Sequence, residues 1–296
     1  MYACPVSRTW YRIALARDGH EPIVVAAAGE HMGAAVEAAQ ASLAESWAVA
    51  ADTVTATDLV PLGDSVGKNG VVQLGAAPVD TPRFRFPAGV LPRLGATAPL
   101  ASVQRGFAMR PDPELVVVEA QTDAANLVDL FLGMIERVPT ADNLEIRVLE
   151  HYDGGASTGA GSAAEGRRGS IDGGASTDVW LTSRVDAKKV IRFLDEHDRD
   201  LIENGHVEIN VYVRSQKGTL RLSEHKTVVW LAEGNALAAE VVGWFGELGI
   251  PRTDDLVTVA SVPHFHYRPA KSLDRKKLAD GLFRDRLRRV ARLKSA

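Results

Sequence analysis

The run from Thr177 to Val213, TDVWLTSRVDAKKVIRFLDEHDRDLIENGHVEINVYV, constrains the fold more than any other stretch. It specifies a strand, a helix and a second strand, and its pattern recurs elsewhere in the chain. Val179 and Leu181 alternate with Asp178 and Thr182 around Trp180, the signature of a short strand on a pleated surface. Asp186 stands where an N-cap carboxylate accepts from free backbone N–H groups. Val190, Ile191, Leu194, Leu201 and Ile202 follow at helical spacing. Asn204-Gly205 stops the helix, because both residues tolerate the left-handed conformation of a C-cap. Val207, Ile209, Val211 and Val213 then alternate with more polar neighbours.

The triplet Val-Trp-Leu returns at Val229-Trp230-Leu231. Asn235 is a candidate cap there, Leu237 to Leu248 a helix, Gly249 a stop and Leu256 to Val262 a strand. Upstream, Leu115 to Ala120, a helix from Leu127 to Ile135 and a strand from Leu144 to Leu149 give a third copy. Ile23 to Ala28, an Ala-rich helix ending near Trp47 and a strand from Thr53 to Val60 give a weaker fourth. Such self-similarity predicts duplication within the chain.

Between Leu149 and Trp180 lies a Gly/Ser/Ala-rich segment, residues 154–177, bracketed by direct Gly-Gly-Ala-Ser-Thr repeats at Gly154 and Gly173. Excising one repeat with the intervening residues leaves a loop short enough for a hairpin. Leu115 to Val213 then reads β-α-β-β-α-β, the order of a ferredoxin-like split βαβ unit. The expected class is α+β: duplicated βαβ or ferredoxin-like units, mostly antiparallel sheets, and helices packed on one face. The expected divisions are an N-terminal ββαβ unit over 1–60, a Pro-rich extended arm or loop over 61–114, the ferredoxin-like unit with its ββαβ extension over 115–270, and a basic amphipathic C-terminal helix over 271–296. Asp18-Gly19 between alternating runs predicts the hairpin that opens the first unit.

Composition bounds the function. No apolar run approaches the roughly 20 residues of a membrane helix, and the N-terminus does not read as a signal peptide, so a soluble cytoplasmic protein is expected. Cys4 is the only cysteine, which excludes an internal disulfide and a Cys-rich zinc site. The net charge of −4 is uneven: the last 26 residues carry +7, leaving −11 for residues 1–270. No nucleophile elbow, His-Glu-x-x-His motif or Cys-His pairing is present. Gly29-Glu30-His31-Met32-Gly33 lacks both the Walker lysine and the three-glycine fingerprint, so it reads as a plain loop before a helix. An activity built on these motifs is therefore not expected, and no cofactor is assigned.

Two cationic stretches carry the leading functional expectation. Arg83-Phe84-Arg85-Phe86 alternates cation and aromatic within the Pro-rich stretch. Arg284, Arg286, Arg288, Arg289 and Arg292 crowd a tail striped with Leu278, Leu282, Phe283, Leu287, Val290 and Leu293. They point to a non-enzymatic protein that contacts like or unlike protein subunits, with a homo-oligomer expected, or alternatively one that binds nucleic acid. A different class rests on His264 and His266. Two apart in a strand, they face one side and suit two ligands on one metal ion, as in a metal-assisted hydrolase. The sequence names no third ligand; His225 and His151, at neighbouring strand ends, are candidates by elimination only.

Overall fold

The computed structural model describes residues 9–54, 70–95, 103–138, 144–152, 176–234 and 237–294. In chain order, β1 (Thr9–Arg17) and β2 (His20–Gly29) form the expected hairpin across Asp18-Gly19, with Gly19 at a φ of +72°. Helix α1 (Met32–Ser42) and β3 (Trp47–Thr53) follow. The helix thus stops before Trp47, which opens a strand instead. The Ser42 and Ser46 hydroxyls donate to the Ala39 and Leu43 carbonyls, and Glu45 turns the chain at a φ of +60°. The expected strand from Thr53 to Val60 is displaced accordingly, and residues 55–60 lie outside the described set.

The Pro-rich stretch supplies β4 (Val71–Ala76), β5 (Val90–Pro92) and β6 (Gly106–Arg110), one strand to each of three sheets. Its described residues, 70–95 and 103–114, therefore run through the body and do not stand away from it. The four-stranded sheet runs β3-β1-β2-β4.

The remaining elements are β7 (Leu115–Gln121), α2 (Leu127–Arg137), β8 (Glu145–Tyr152), β9 (Ser176–Leu181), α3 (Ala187–Glu196), the one-turn α4 (Asp198–Leu201) and β10 (Val207–Val213). Then come β11 (Gly218–Leu222), β12 (Val228–Glu233), α5 (Ala238–Glu247), β13 (His264–His266), α6 (Arg275–Arg284) and β14 (Arg288–Lys294). Eight strands join in the order β14-β9-β8-β10-β11-β12-β7-β6, every named pair antiparallel. The class is α+β with mostly antiparallel sheets.

The expected hairpin is present: β8 pairs β9 from Arg147↔Leu181 to Tyr152↔Ser176. Residues 153–175 between them, which include the repeat-flanked segment, lie outside the described set. Because β9 and β10 flank β8 and both run against it, Ser176 to Val213 is a split βαβ. A closed ferredoxin-like unit would also hold β7 among these strands. Here the meander β10-β11-β12 intervenes, since short turns commit each strand to its sequence neighbour.

Two further expectations fail for local reasons. Leu256 to Val262 forms extended chain and a 3₁₀ turn, not a strand. The Gln121 amide occupies its backbone: Nε2 donates to Val257 O, and Oε1 accepts from Val259 N. The tail is not one helix either. Arg286, at a φ of +69°, reverses the chain after α6, and β14 returns along β9.

What draws the tail down is Asp178, 2 % exposed. Arg292 grips it with two bonds, Nε at 2.6 Å and Nη2 at 2.7 Å, while Arg275 lies at 3.1 Å and Arg289 at 3.7 Å. Burial alone pushes this carboxyl up, but the Arg292 and Arg275 guanidiniums outweigh it and hold it below its ordinary value.

One large core lies under the eight-stranded sheet, built from Phe131, Met134, Leu194, Ile209, Trp230 and Phe245 among others. Each such side chain contributes about 1.5–3 kcal/mol by leaving water. A second core packs Tyr11, Ile13, Val36, Leu91, Phe265 and Tyr267 between the four-stranded sheet, α1 and the β5–β13 pair.

Replacing Asp178 by Ala strands three guanidiniums around a vacated carboxylate site. Because those guanidiniums are nearly half exposed, the loss is expected to cost about 1.5–3 kcal/mol in denaturant unfolding and to expose the tail after Asp274 to protease; an unaltered midpoint and digestion pattern would refute the latch.

Candidate metal centre

The two cores meet where three distant backbones cross. Tyr267 N donates to Gly89 O at 2.8 Å, and Gly205 N donates to Tyr267 O at 3.1 Å. No side chain fits between them: a Cβ on Gly205 would stand 1.9 Å from Gly89 O, and one on Gly89 only 2.4 Å from Glu203 O. The Asn204-Gly205 stop is thereby pressed against the end of β13.

Strand β13 pairs with β5 in the register His264↔Pro92, Phe265↔Leu91 and His266↔Val90. Alternation sends Phe265 into the second core and both histidines to the opposite side, as the spacing predicts. His264 Nδ1 lies 2.6 Å from Val262 O, and His266 Nδ1 lies 2.7 Å from Gly205 O. A carbonyl oxygen only accepts, so each Nδ1 carries the proton and each neutral ring leaves Nε2 bare. Yet the two Nε2 atoms stand 3.0 Å apart. Two lone pairs at that distance repel unless a cation lies between or beside them.

A proton on His266 is a poor candidate for that cation. Burial first, and then the neighbouring His264, push the His266 ring down to about 3. Two cations can settle the pair: a proton on His264 Nε2, as an N–H···N hydrogen bond of 3.0 Å, or a metal ion, whose ligands about 2.0–2.1 Å from zinc at tetrahedral angles stand about 3.4 Å apart.

The third imidazole comes from the other side of the junction. His225 sits in the turn between β11 and β12, its ring centre 4.8 Å from that of His264 and 5.0 Å from that of His266. One ring nitrogen from each of the three lies within 4.8 Å of the others. His225 Nδ1 is 3.3 Å from Glu224 Oε1, which leaves its Nε2 available. Burial lowers the His225 ring despite the opposing pull of Glu224, so it is a neutral ligand at physiological pH.

The turn itself is locked. Ser223 N donates to Thr227 O at 3.0 Å, and the Ser223 and Thr227 hydroxyls meet at 2.8 Å. Lys226, 1 % exposed and at a φ of +62°, runs beneath the loop and donates from Nζ to Asn204 O at 2.6 Å and Val207 O at 3.1 Å. Burial pushes its ammonium down to about 7, against the pull of Glu224, Glu208 and Glu203.

A second group, His151, Glu208 and Glu224, also lies within 4.8 Å. Arg221 Nη2 pairs with one of its carboxylates, Glu208 Oε2, at 2.7 Å and stands 3.8 Å from Glu224 Oε2, a buried oxygen that accepts no hydrogen bond among the described residues. Burial raises the Glu224 carboxyl, but its own backbone N–H and the His225 and His151 rings outweigh that effect and the net shift is downward.

The other sequence candidates are placed differently. Arg83 donates to His20 O at 2.8 Å and Glu21 Oε1 at 3.2 Å; Arg85 lies 4.6 Å above the Trp47 ring; Phe84 and Phe86 pack edge to face at 5.0 Å. All four engage their own chain. Of the tail arginines, Arg289 and Arg292 serve Asp178, Arg284 donates to Asp280 O, and Arg286 and Arg288 belong to the reversal and the start of β14. The glycine loop before α1 answers to packing, because a Cβ on Gly33 would meet Arg268 O at 1.9 Å. No family model, no curated protein and no solved structure matches this chain.

Lys226→Met gives a direct reading of the buried amine. The folded-state value, about 7, is below the unfolded one of about 10.4. Between these values the unfolded chain holds a proton that the folded chain lacks, so this group makes stability rise with pH from 7 to 10.4. Denaturant unfolding across that window should show the parent gaining stability relative to the variant as pH rises; parallel curves would contradict the assignment.

Proposed function

We propose that the protein binds a divalent transition-metal ion through His225, His264 and His266, and that the ion serves metal-assisted hydrolysis. The observation that carries this reading is the convergence of three imidazoles whose ligand nitrogens lie within 4.8 Å of one another, two of them with Nδ1 committed to carbonyl acceptors. Imidazole donors suit zinc and copper. Three protein ligands with a remaining position are the arrangement of catalytic rather than structural zinc, which favours zinc. All three histidines are partly exposed. When bound, such an ion polarises a carbonyl or phosphoryl oxygen and brings a bound water's pKa to about 7. The chain's own part is to hold three rings in fixed orientation, through Val262, Gly205 and Glu224.

Dialysis against zinc followed by metal analysis should find one ion per chain. His264→Ala with His266→Ala should lose it, and zinc-dependent hydrolysis of an activated ester should vanish with it. Equal metal content in parent and double variant would end this reading.

A second reading, contact with like or unlike protein subunits in the cytoplasm, is favoured by one observation. Phe283, Val290 and Leu293 are 70 %, 57 % and 50 % exposed on the folded-back tail, beside Arg284, Arg286 and Arg288. Light scattering should report a homo-oligomer that Phe283→Glu with Val290→Glu converts to a monomer; a monomer in both would remove it. Internal duplication belongs with these proposals. Its support is that Trp180 and Trp230, in the two Val-Trp-Leu strands, are buried in the same core and each strand leads into a helix.

A further inference from the structure

We propose that Glu224 is the positioning residue of the metal centre, fixing the His225 ring so that Nε2 points toward His264 and His266. The inference rests on the three-histidine reading above.

His264 and His266 take their orientation from backbone carbonyls, Val262 O and Gly205 O, which no side-chain replacement removes. His225 differs, because the acceptor beside its Nδ1 is the Glu224 carboxylate at 3.3 Å. The centre therefore has one orienting contact that rests on a single side chain. Metal-ligating histidines depend on such contacts for tautomer and ring angle.

Glu224 is itself restrained. Its Oε2 faces Arg221 Nη2 at 3.8 Å, and the same guanidinium nitrogen is 2.7 Å from Glu208 Oε2. Asn210 Nδ2 donates to Glu208 Oε1 at 2.8 Å, so both oxygens of Glu208 are engaged. The order Asn210, Glu208, Arg221, Glu224, His225 is a chain of polar contacts. It runs from the middle of the eight-stranded sheet to the metal ligand. The backbone beneath it is the turn clamped by Ser223, Thr227 and Lys226.

The charges agree with this role. Imidazole ligands carry no negative charge to offset a divalent ion, while the Glu224 carboxylate places one directly behind His225. That charge favours the metal-bound state, and it is lost in Glu224→Gln, which keeps the side chain's shape.

Zinc affinity of the full chain, measured by competition with a chromophoric chelator, tests the proposal. Glu224→Gln should weaken binding about 10–100-fold while the metal-free protein keeps the parent's thermal midpoint. Glu224→Asp, which retains the charge but withdraws it by one methylene, should weaken binding as well. Zinc affinity within twofold of the parent in Glu224→Gln overturns the positioning role and leaves the metal centre standing. A parent chain that binds no zinc overturns both. A midpoint that falls in Glu224→Gln with unchanged affinity identifies Glu224 as a fold residue only, and also overturns the proposal.

Discussion

The crossing of backbone at Gly89, Gly205 and Tyr267 is the constraint on which the rest of this structure depends. Two glycines are required because a single Cβ on either would overlap a carbonyl oxygen of the opposing strand. The crossing brings a loop of the eight-stranded sheet against the end of the small sheet that closes the second core. Gly205 O then becomes the acceptor for His266 Nδ1, and the same loop receives the Lys226 ammonium that fixes the His225 turn. Fold and candidate site are thus consequences of one packing event.

The site follows from proton accounting. In water, neighbouring histidines relieve repulsion by rotating or by taking up a proton. Here rotation of both rings is opposed by hydrogen bonds to fixed acceptors, and protonation of His266 is opposed by burial. An ion with empty coordination positions removes the conflict without requiring either. Of the carboxylates nearby, Glu208 is paired with Arg221 at 2.7 Å, and Glu224 stands beside His225 at 3.3 Å.

How far the sequence discloses this differs between parts. The period-two and helical patterns of Thr177 to Val213 placed β9, α3 and β10 correctly, because each element buries a face that its own residues define. Asp186 caps α3 as its position implies, accepting from Lys188 N at 2.9 Å. Strand order was not legible, since it depends on which edges meet, and nothing in Leu115 to Gln121 announces that β12 will lie beside it. The tail misled for a related reason: Arg292 looks like a solvent-facing charge until Asp178, 114 residues earlier, is found beneath it. His264 and His266 were legible as a pair because two-residue spacing in a strand fixes a common side. His225 was not, as its place beside them depends on the crossing of chains far apart in sequence. In the sequence it is a candidate by elimination only, as a histidine at a neighbouring strand end.

The central claim is that three imidazoles share one ion, and X-ray absorption at the metal edge of the zinc-loaded protein measures this most directly. The account predicts a nearest shell dominated by three imidazole nitrogens at about 2.0–2.1 Å, with the outer scattering of their rings, and its reduction by one ring in His225→Ala. A shell of oxygen alone, or one indifferent to His225, His264 and His266, would contradict it.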